Sequence, residues 1–375
     1  MFLAWRELIF ARARFGLMGG VVALIAILVV LLSGLSSGLV NDGVSGLQRL
    51  PVTAFAFAEG TKTDSAFSRS TVTADQAQTW KGRDDVADAA LFGNTLVNAK
   101  ATHADGTETP IDLALFGVEP GSFLAPAGLG DEDGIVVSQT VLDEGVNIGD
   151  TVVIDRLGTR LKVVETTGDQ RTFGHVDVAY LPLRTWQRIH AGAGPDDEVR
   201  EGAYEEATAV ALRARDGKEI DLSGGDAAAG TTSMTLEDSF GASPGYTAEI
   251  STIVLIQVFL YAISALVVGT FFTVWTIQRK HEIAVIRAMG ASTGYLMRDT
   301  MIQATVILTV STAIGFLLGV GGGSLLTRTA MPFDLEAAPL VLAALLLVGL
   351  GLAGAAAAVG RIVRVDPLTA LGGQR

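Results

Sequence analysis

The chain has 375 residues, of which 49% are hydrophobic, and a formal net charge of −13 at pH 7. A soluble protein of this length does not need so much apolar content, so the composition points to membrane-spanning segments. The sequence contains no cysteine, which excludes disulfides, thiolate metal sites and a cysteine nucleophile.

Four apolar segments are long enough to cross a membrane. Each has at least about 20 mostly apolar residues, the length that a hydrocarbon core of about 30 Å requires. None carries an Asp, Glu, Lys or Arg in its interior, and the first is too long for the apolar part of a signal peptide. We therefore predict four transmembrane helices, at residues 15–40, 250–277, 301–326 and 339–360.

The basic residues predict the orientation of these helices. The segments before the first span, between the second and third, and after the fourth together hold ten Lys and Arg but only four acidic residues. Because Lys and Arg concentrate on the cytoplasmic side, both termini are predicted to be cytoplasmic in a multi-pass plasma membrane protein. The predicted segments are a cytoplasmic N-terminus with the first helix (1–40), an extracellular domain (41–249), the second helix (250–277), a cytoplasmic coupling helix (278–300), the third helix (301–326), a short external loop (327–338), the fourth helix (339–360) and a cytoplasmic tail (361–375).

The extracellular segment alternates strand-like and helix-like runs. Turns and Gly-rich linkers separate them, with a hairpin turn at Gly158 and linkers at 191–198 and 216–245. The fold class is therefore membrane α-helical, with four transmembrane helices and a large α+β extracellular domain inserted between helices 1 and 2. Strands are predicted at 52–58, 135–137, 151–155, 161–165, 176–181 and 207–212, and short helices at 139–144 and 183–191.

The third span carries a stripe of glycines at four-residue spacing, Gly315, Gly319 and Gly323. Small residues at this spacing allow two helices to approach closely. Only a short loop joins the third and fourth spans. We expect the stripe to pack within the hairpin that these two spans form.

The sequence shows no site that could convert energy. Residues 225–232 have the spacing of a phosphate-binding loop, but Thr231 stands where the lysine is required. The segment is also predicted to lie outside the cell, and we interpret it as linker. Any uphill transport would need ATP hydrolysis by another subunit.

The cytoplasmic segment at 278–300 begins with an amphipathic pattern. Gly290 is a plausible end for this helix, and Ser292 is a plausible cap for a second helix that enters the third span. A charged helix beneath the membrane can transmit force from a cytoplasmic partner. An ordinary positively charged loop is the alternative.

These residues resemble the MacB/FtsX permease superfamily. Residues 279–292, RKHEIAVIRAMGAS, are similar to its signature Arg-x-x-Glu-Ile-x-x-Leu-Arg-Ala-Leu-Gly-Ala-Ser. Residues 364–371, RVDPLTAL, resemble its closing Asp-Pro motif. The external runs at 133–138, 149–153 and 178–183 look like its extracytoplasmic core domain. Gln303 departs from the glutamate that many relatives carry at the start of the third span.

The resemblance implies a homodimer of permeases docked on two copies of a cytoplasmic ABC ATPase. ATP and Mg would be bound by that ATPase, and the permease would be neither an enzyme nor the holder of a cofactor of its own. Family substrates are usually taken laterally from the outer leaflet, so membrane lipid is a partner and nucleic acid is not. The coupling residues implied are Glu282, Ile283, Ile286, Arg287 and Met289.

The N-terminal run at 2–16 and the segment at 34–39 look like the heme-exporting permeases of Gram-positive bacteria. This resemblance implies heme efflux by extraction from the outer leaflet. Two alternatives stay open: export of a lipid, lipoprotein or antimicrobial peptide, and a signalling subunit that moves no solute.

Glu249 is the last charge before the second span and shares a helical face with Ile253. A carboxylate at such a position is costly to bury without a partner, and carboxylate oxygens suit hard metal ions such as ferric iron. We therefore predict Glu249 as the ligand of heme iron and Tyr246 as a second binder. Ser33 and Ser36 would line the opposite wall. The alternative for Glu249 is a solvated interfacial charge.

Methionine, tyrosine and histidine also bind heme iron in proteins, but the other examples in this chain are less favoured as its ligands. Met234 falls in a predicted linker, and Tyr261 lies in mid-span, where packing is the usual role. We expect the external histidines to be solvated or structural rather than ligating. They are His103, His175 and His190.

Overall fold

The computed structural model describes residues 12–130, 133–278, 285, 289–329 and 331–363. The chain divides into two compact units. The helical unit consists of Met1–Leu39 and Ile250–Arg375, and the external unit is Val40–Glu249.

The helices of the described residues include four long ones, each with a stretch apolar and long enough to cross a membrane. The four predicted spans are therefore confirmed. The first helix continues past the predicted end at residue 40, and the second begins before residue 250. In chain order the α-helices are α1 (Arg12–Gln48), α2 (Ala66–Arg69), α3 (Ala74–Lys81), α4 (Gln139–Asp143), α5 (Leu183–His190), α6 (Leu222–Ala229), α7 (Leu236–Ser239), α8 (Tyr246–Gln278), α9 (Thr293–Leu326) and α10 (Ala337–Val363).

The start of α9 follows the predicted signals. Gly290 has a positive φ of 100°, and Ser292 caps the helix by accepting a hydrogen bond from the Tyr295 backbone N–H at 3.2 Å. Met289 is 75% exposed. The other predicted coupling residues, and the C-terminal motif at 364–371, lie outside the described residues. Those coupling residues are Glu282, Ile283, Ile286 and Arg287.

The glycine stripe of α9 packs against α1. A Cβ on Gly315 would lie 2.4 Å from the Ala23 carbonyl oxygen, and one on Gly319 would lie 2.8 Å from Cβ of Val30. The expectation that the stripe packs within the α9–α10 hairpin is therefore wrong for these two glycines. Proximity in sequence suggested α10 as the partner. Small and β-branched residues of α1, however, let the backbone of α9 approach closely at these two glycines.

The external unit is built on a ten-stranded mixed sheet. The strands follow the order β12-β1-β11-β3-β4-β9-β5-β7-β6, and β6 also pairs with β3, so that six strands form a closed ring. Strand β8 pairs with β9, and β2 pairs separately with β10. The strands are β1 (Ala54–Ala58), β2 (Val72–Thr73), β3 (Val86–Thr102), β4 (Glu108–Val118), β5 (Gly134–Val137), β6 (Thr151–Ile154), β7 (Arg160–Thr166), β8 (Thr172–Phe173), β9 (Val176–Pro182), β10 (Glu206–Ala207), β11 (Ala209–Ala214) and β12 (Thr231–Thr235).

Two buried clusters stabilise this sheet. One is mainly aliphatic and contains Trp186 of α5, and the other is rich in aromatic rings. In the second cluster the ring of Phe67 meets those of neighbouring phenylalanines edge-on, at centroid distances of 5.0–6.0 Å. This is the geometry that aromatic pairs prefer. Its partners are Phe55, Phe57, Phe92 and Phe173.

Most of the segment at 216–245 is folded rather than linker. It contains α6, β12 and α7, and Met234 lies in a strand. Gly225 is present for packing, because a Cβ on it would lie 2.0 Å from the ring of the buried Trp80. Asp221 caps α6 by accepting from the Gly224 N–H at 3.1 Å. The linker interpretation, which rested on composition, is wrong here.

Candidate functional site

A two-residue turn joins β8 to β9. Phe173 pairs with Val176 across the hairpin, and the turn residues Gly174 and His175 have φ of 59° and 64°. Two consecutive positive φ values define a turn that favours Gly, Asn or Asp. A histidine there costs roughly 1 kcal/mol or more of backbone strain. Such strain in a residue at the tip of a turn suggests a role for its side chain.

Hydrogen bonds hold this hairpin to the end of α1. The Gly174 N–H donates to the Gly43 carbonyl at 2.8 Å, and the Thr172 N–H donates to Ser45 Oγ at 3.0 Å. The Thr172 hydroxyl donates to the Asn41 carbonyl at 3.1 Å. These bonds therefore fix both β8 and the turn that follows it.

The imidazole of His175 lies between two carboxylates. Its Nδ1 is 2.7 Å from Asp42 Oδ2, and its Nε2 is 3.1 Å from Glu249 Oε2. Because an ionised carboxylate only accepts hydrogen bonds, a protonated His175 ring can donate to both carboxylates at once. Burial alone would lower the pKa of His175. The hydrogen bond to Asp42 and the charges of Glu249 and Asp42 outweigh burial and raise this pKa above 6.5.

The predicted iron ligand Glu249 therefore has a partner that the sequence analysis did not identify. Its side chain is 38% exposed, against 32% for His175 and 27% for Asp42. The three groups form a cluster within the external unit, at the point where α8 begins. We call this set, Asp42, His175 and Glu249, the carboxylate–histidine cluster.

Tyr246, the second predicted binder, is the first residue of α8. Its ring packs against Phe240 with centroids 6.2 Å apart. A Cβ on Gly43 would lie 3.8 Å from the Tyr246 ring and 3.9 Å from Cε1 of His175. The ring of Tyr246 and the imidazole of the carboxylate–histidine cluster therefore both lie next to Gly43.

The remaining predicted site residues belong to the helical unit. Ser33 and Ile253 are buried, and Ser36 is half-buried. Between the two serines, Gly34 lies against the ring of Phe333, and its carbonyl accepts a hydrogen bond from the Asp334 N–H at 3.0 Å. The external loop before α10 therefore docks on α1 beside the two serines.

The other external histidines make contacts within the external unit. His103 bonds Asp150 at 2.7 Å through Nδ1 and Thr109 at 2.8 Å through Nε2. His190 stacks on Trp186 at 4.5 Å, and burial lowers the pKa of His190. Within the described ranges, no group of three His, Asp or Glu side chains is suited to holding a metal ion by itself.

A groove of about 200 Å³ opens elsewhere in the external unit. Its walls are mainly apolar and include Phe67, Leu96 and Phe173. Asn94 also borders it, and the buried side-chain oxygen of Asn94 has no hydrogen-bond partner among the described residues. The carboxylate–histidine cluster does not line this groove. The groove and the predicted ligand residue are therefore separate features of the unit.

Comparisons with known proteins cover nearly the whole chain. Residues 13–224 match the MacB-like periplasmic core domain, and residues 248–367 match the FtsX-like permease C-terminal domain. HrtB of Staphylococcus epidermidis, named as a permease protein of a hemin transport system, is 24% identical over 100% of this chain and 99% of its own. HrtB of Staphylococcus haemolyticus is 23% identical over the same shares.

The comparison with solved structures gives distant matches. The periplasmic region of MacB from Actinobacillus actinomycetemcomitans is 12% identical over 50% of this chain and 91% of its own, with a TM-score of 0.34. The MacB-like match alone spans more than half of the chain. The chain belongs to the MacB/FtsX family of ABC transporter permeases.

Proposed function

We propose that this protein is the permease subunit of a heme exporter that extracts heme from the outer leaflet of the plasma membrane. Similarity to the HrtB permeases along the full length supports this substrate class. The observation that carries the proposal is the carboxylate of Glu249, held by His175 at the start of a membrane-spanning helix.

The donor set fits ferric heme as cargo. Heme supplies four nitrogen ligands from its own ring, so the protein needs to offer only one or two axial donors. A carboxylate has about four lone-pair sites, and the hydrogen bond from His175 to Oε2 occupies only one of those on Glu249. An oxygen ligand suits ferric iron. An exporter also needs a ligand that releases its cargo.

The other predicted residues keep their roles as part of this proposal. Tyr246 supplies a phenol, a group that binds heme iron in some proteins. Ser33 and Ser36 supply hydroxyl donors for the heme propionates, and Ile253 supplies apolar surface. In a homodimer each protomer would contribute one Glu249.

Energy for export comes from a separate subunit in this proposal. Membership of the ABC permease family implies a cytoplasmic ATPase partner. We propose two copies of this ATPase beneath a permease dimer with cytoplasmic termini. They would bind ATP and Mg and push on the coupling segment at 278–300.

The test is a titration of the full-length permease in lipid nanodiscs with hemin, followed by the Soret band. We expect a shifted band that saturates, and Glu249→Gln should weaken binding by more than the roughly 10–100-fold that loss of an outer-shell partner costs. Glu237→Gln is the matched control, because Glu237 is an exposed carboxylate of the same unit.

Two results would reject the proposal. One is an unshifted Soret band in the wild type, which would favour a lipid, lipoprotein or peptide as substrate. The other is a Glu249→Gln variant that binds hemin as the wild type does.

A further inference from the structure

We infer that His175 is the positioning residue for Glu249: its imidazole, anchored on Asp42, holds the carboxylate in the orientation that meets the iron of the cargo. This inference rests on the proposed function and assigns His175 a role in the same site.

The first argument is that both the backbone beside His175 and its imidazole ring are held in place. The backbone of the turn is fixed by the hydrogen bond from Gly174 N–H to Gly43, and the neighbouring Thr172 is bonded to Ser45 and Asn41. The contact with Asp42, at 2.7 Å, fixes the ring through Nδ1. The ring therefore presents Nε2 in one direction, and Glu249 lies in that direction at 3.1 Å.

The second argument concerns the side chain of Glu249. A glutamate has several rotatable bonds, and a free one loses conformational entropy when it ligates a metal. A hydrogen bond made beforehand removes part of that loss. Groups that bond a ligating carboxylate also tune its strength as a donor. A bond from His175 to Oε2 withdraws electron density and favours a ligand that releases its cargo.

The third argument comes from the backbone. Turn formation does not explain the choice of histidine, because glycine adopts a φ of 64° without strain. The side chain must therefore offset an unfavourable conformation. Within the described residues, Arg156 is the other non-glycine residue with a positive φ, at 68°, and its side chain is exposed.

Because His175 and Arg156 share a positive φ, the same substitution at both positions gives a matched pair of variants. His175→Gly and Arg156→Gly make the same backbone change in two turns of the external unit, and both should keep or raise the thermal stability of the full-length permease. We expect His175→Gly to raise the hemin Kd about tenfold, the loss typical of an outer-shell partner, and to alter the Soret band. Arg156→Gly should leave both unchanged.

Two further measurements separate positioning from a general structural role. His175→Gln keeps an N–H donor, so its loss of hemin affinity should be smaller than that of His175→Gly. Iron-free protoporphyrin should bind wild type and His175→Gly equally, because no iron is present for Glu249 to ligate. Equal losses for hemin and protoporphyrin would overturn the positioning role.

The outcome also distinguishes this inference from the proposed function. If hemin binding depends on Glu249 but His175→Gly binds it as the wild type does, only the positioning role is wrong. If Glu249→Gln has no effect on hemin binding, both proposals are wrong.

Discussion

The aromatic cluster of the external unit and the contact between α9 and α1 in the helical unit are packed by opposite means. In the external unit, large rings fill the core, and Phe67 alone meets four other phenylalanines. In the helical unit, α9 approaches α1 through glycine, as where a Cβ on Gly315 would lie 2.4 Å from the Ala23 carbonyl oxygen. Large apolar side chains gain free energy when they leave water, whereas helices in lipid gain mainly from close backbone contact.

The comparison implies opposite sensitivities to mutation. The external unit should suffer most when volume is removed from its core. The helical unit should suffer most when volume is added between α1 and α9. Two predictions test this contrast and a third tests a buried carboxylate of the external unit, with the largest expected effect first.

Phe67→Ala should destabilise the external unit by about 3–5 kcal/mol, because it leaves a cavity among rings that cannot close around it. Hydrogen exchange of β1, β3 and β4 in the full-length protein would measure the loss. Phe123→Ala is the control, since Phe123 is only partly buried at the edge of the same cluster. Equal protection in the two variants would contradict this account of the core.

Gly315→Val should cost about 1–3 kcal/mol, because its side chain would meet the backbone of α1. The measurement is the temperature at which the purified permease loses its monodisperse peak in size-exclusion chromatography. Gly321→Val makes the same change in the same helix, where no atom lies within 4 Å of the added Cβ. Equal temperatures of peak loss for the two variants would contradict the expected sensitivity to added volume.

Asp150→Asn should have the smallest effect, and this effect should depend on pH. Burial opposes ionisation of Asp150, but hydrogen bonds from the Asn147 backbone and from His103 hold its pKa below the ordinary 3.8. A lowered pKa contributes stability that is present above 3.8 and lost as pH falls through the folded value. Melting temperatures of wild type and variant should therefore differ at pH 7 and converge in acid. A difference that grew as pH fell would contradict the assignment.

The sequence could predict the features that depend on neighbouring residues, and it could not predict those that depend on distant ones. Long apolar runs are a local signal, so the four spans were evident, as was the cap at Ser292. Strands with β-branched alternation, such as β6 and β7, were also predicted, and so was the hairpin between them. Strands β3 and β4 were missed, because much of their sequence is Ala, Gly, Asn and acidic residues and their stability comes from pairing with each other.

Contacts between distant parts of the chain left no local signal. Glycines in the segment at 216–245 indicated a linker, yet Gly225 is small because Trp80 packs on it. Likewise, Glu249 stood out as a lone charge, while its partner His175 lies 74 positions away in sequence. The Gly174–His175 pair between two short apolar runs was a hairpin signal that could have drawn attention to the histidine.

The most direct test of the central claim is ATP hydrolysis by the partner ATPase, reconstituted in vesicles together with the permease. The account predicts that hemin added to the vesicle membrane stimulates hydrolysis in the wild type and that Glu249→Gln loses most of this stimulation. Hydrolysis that does not respond to hemin, or that responds equally in the wild type and the variant, would contradict the account.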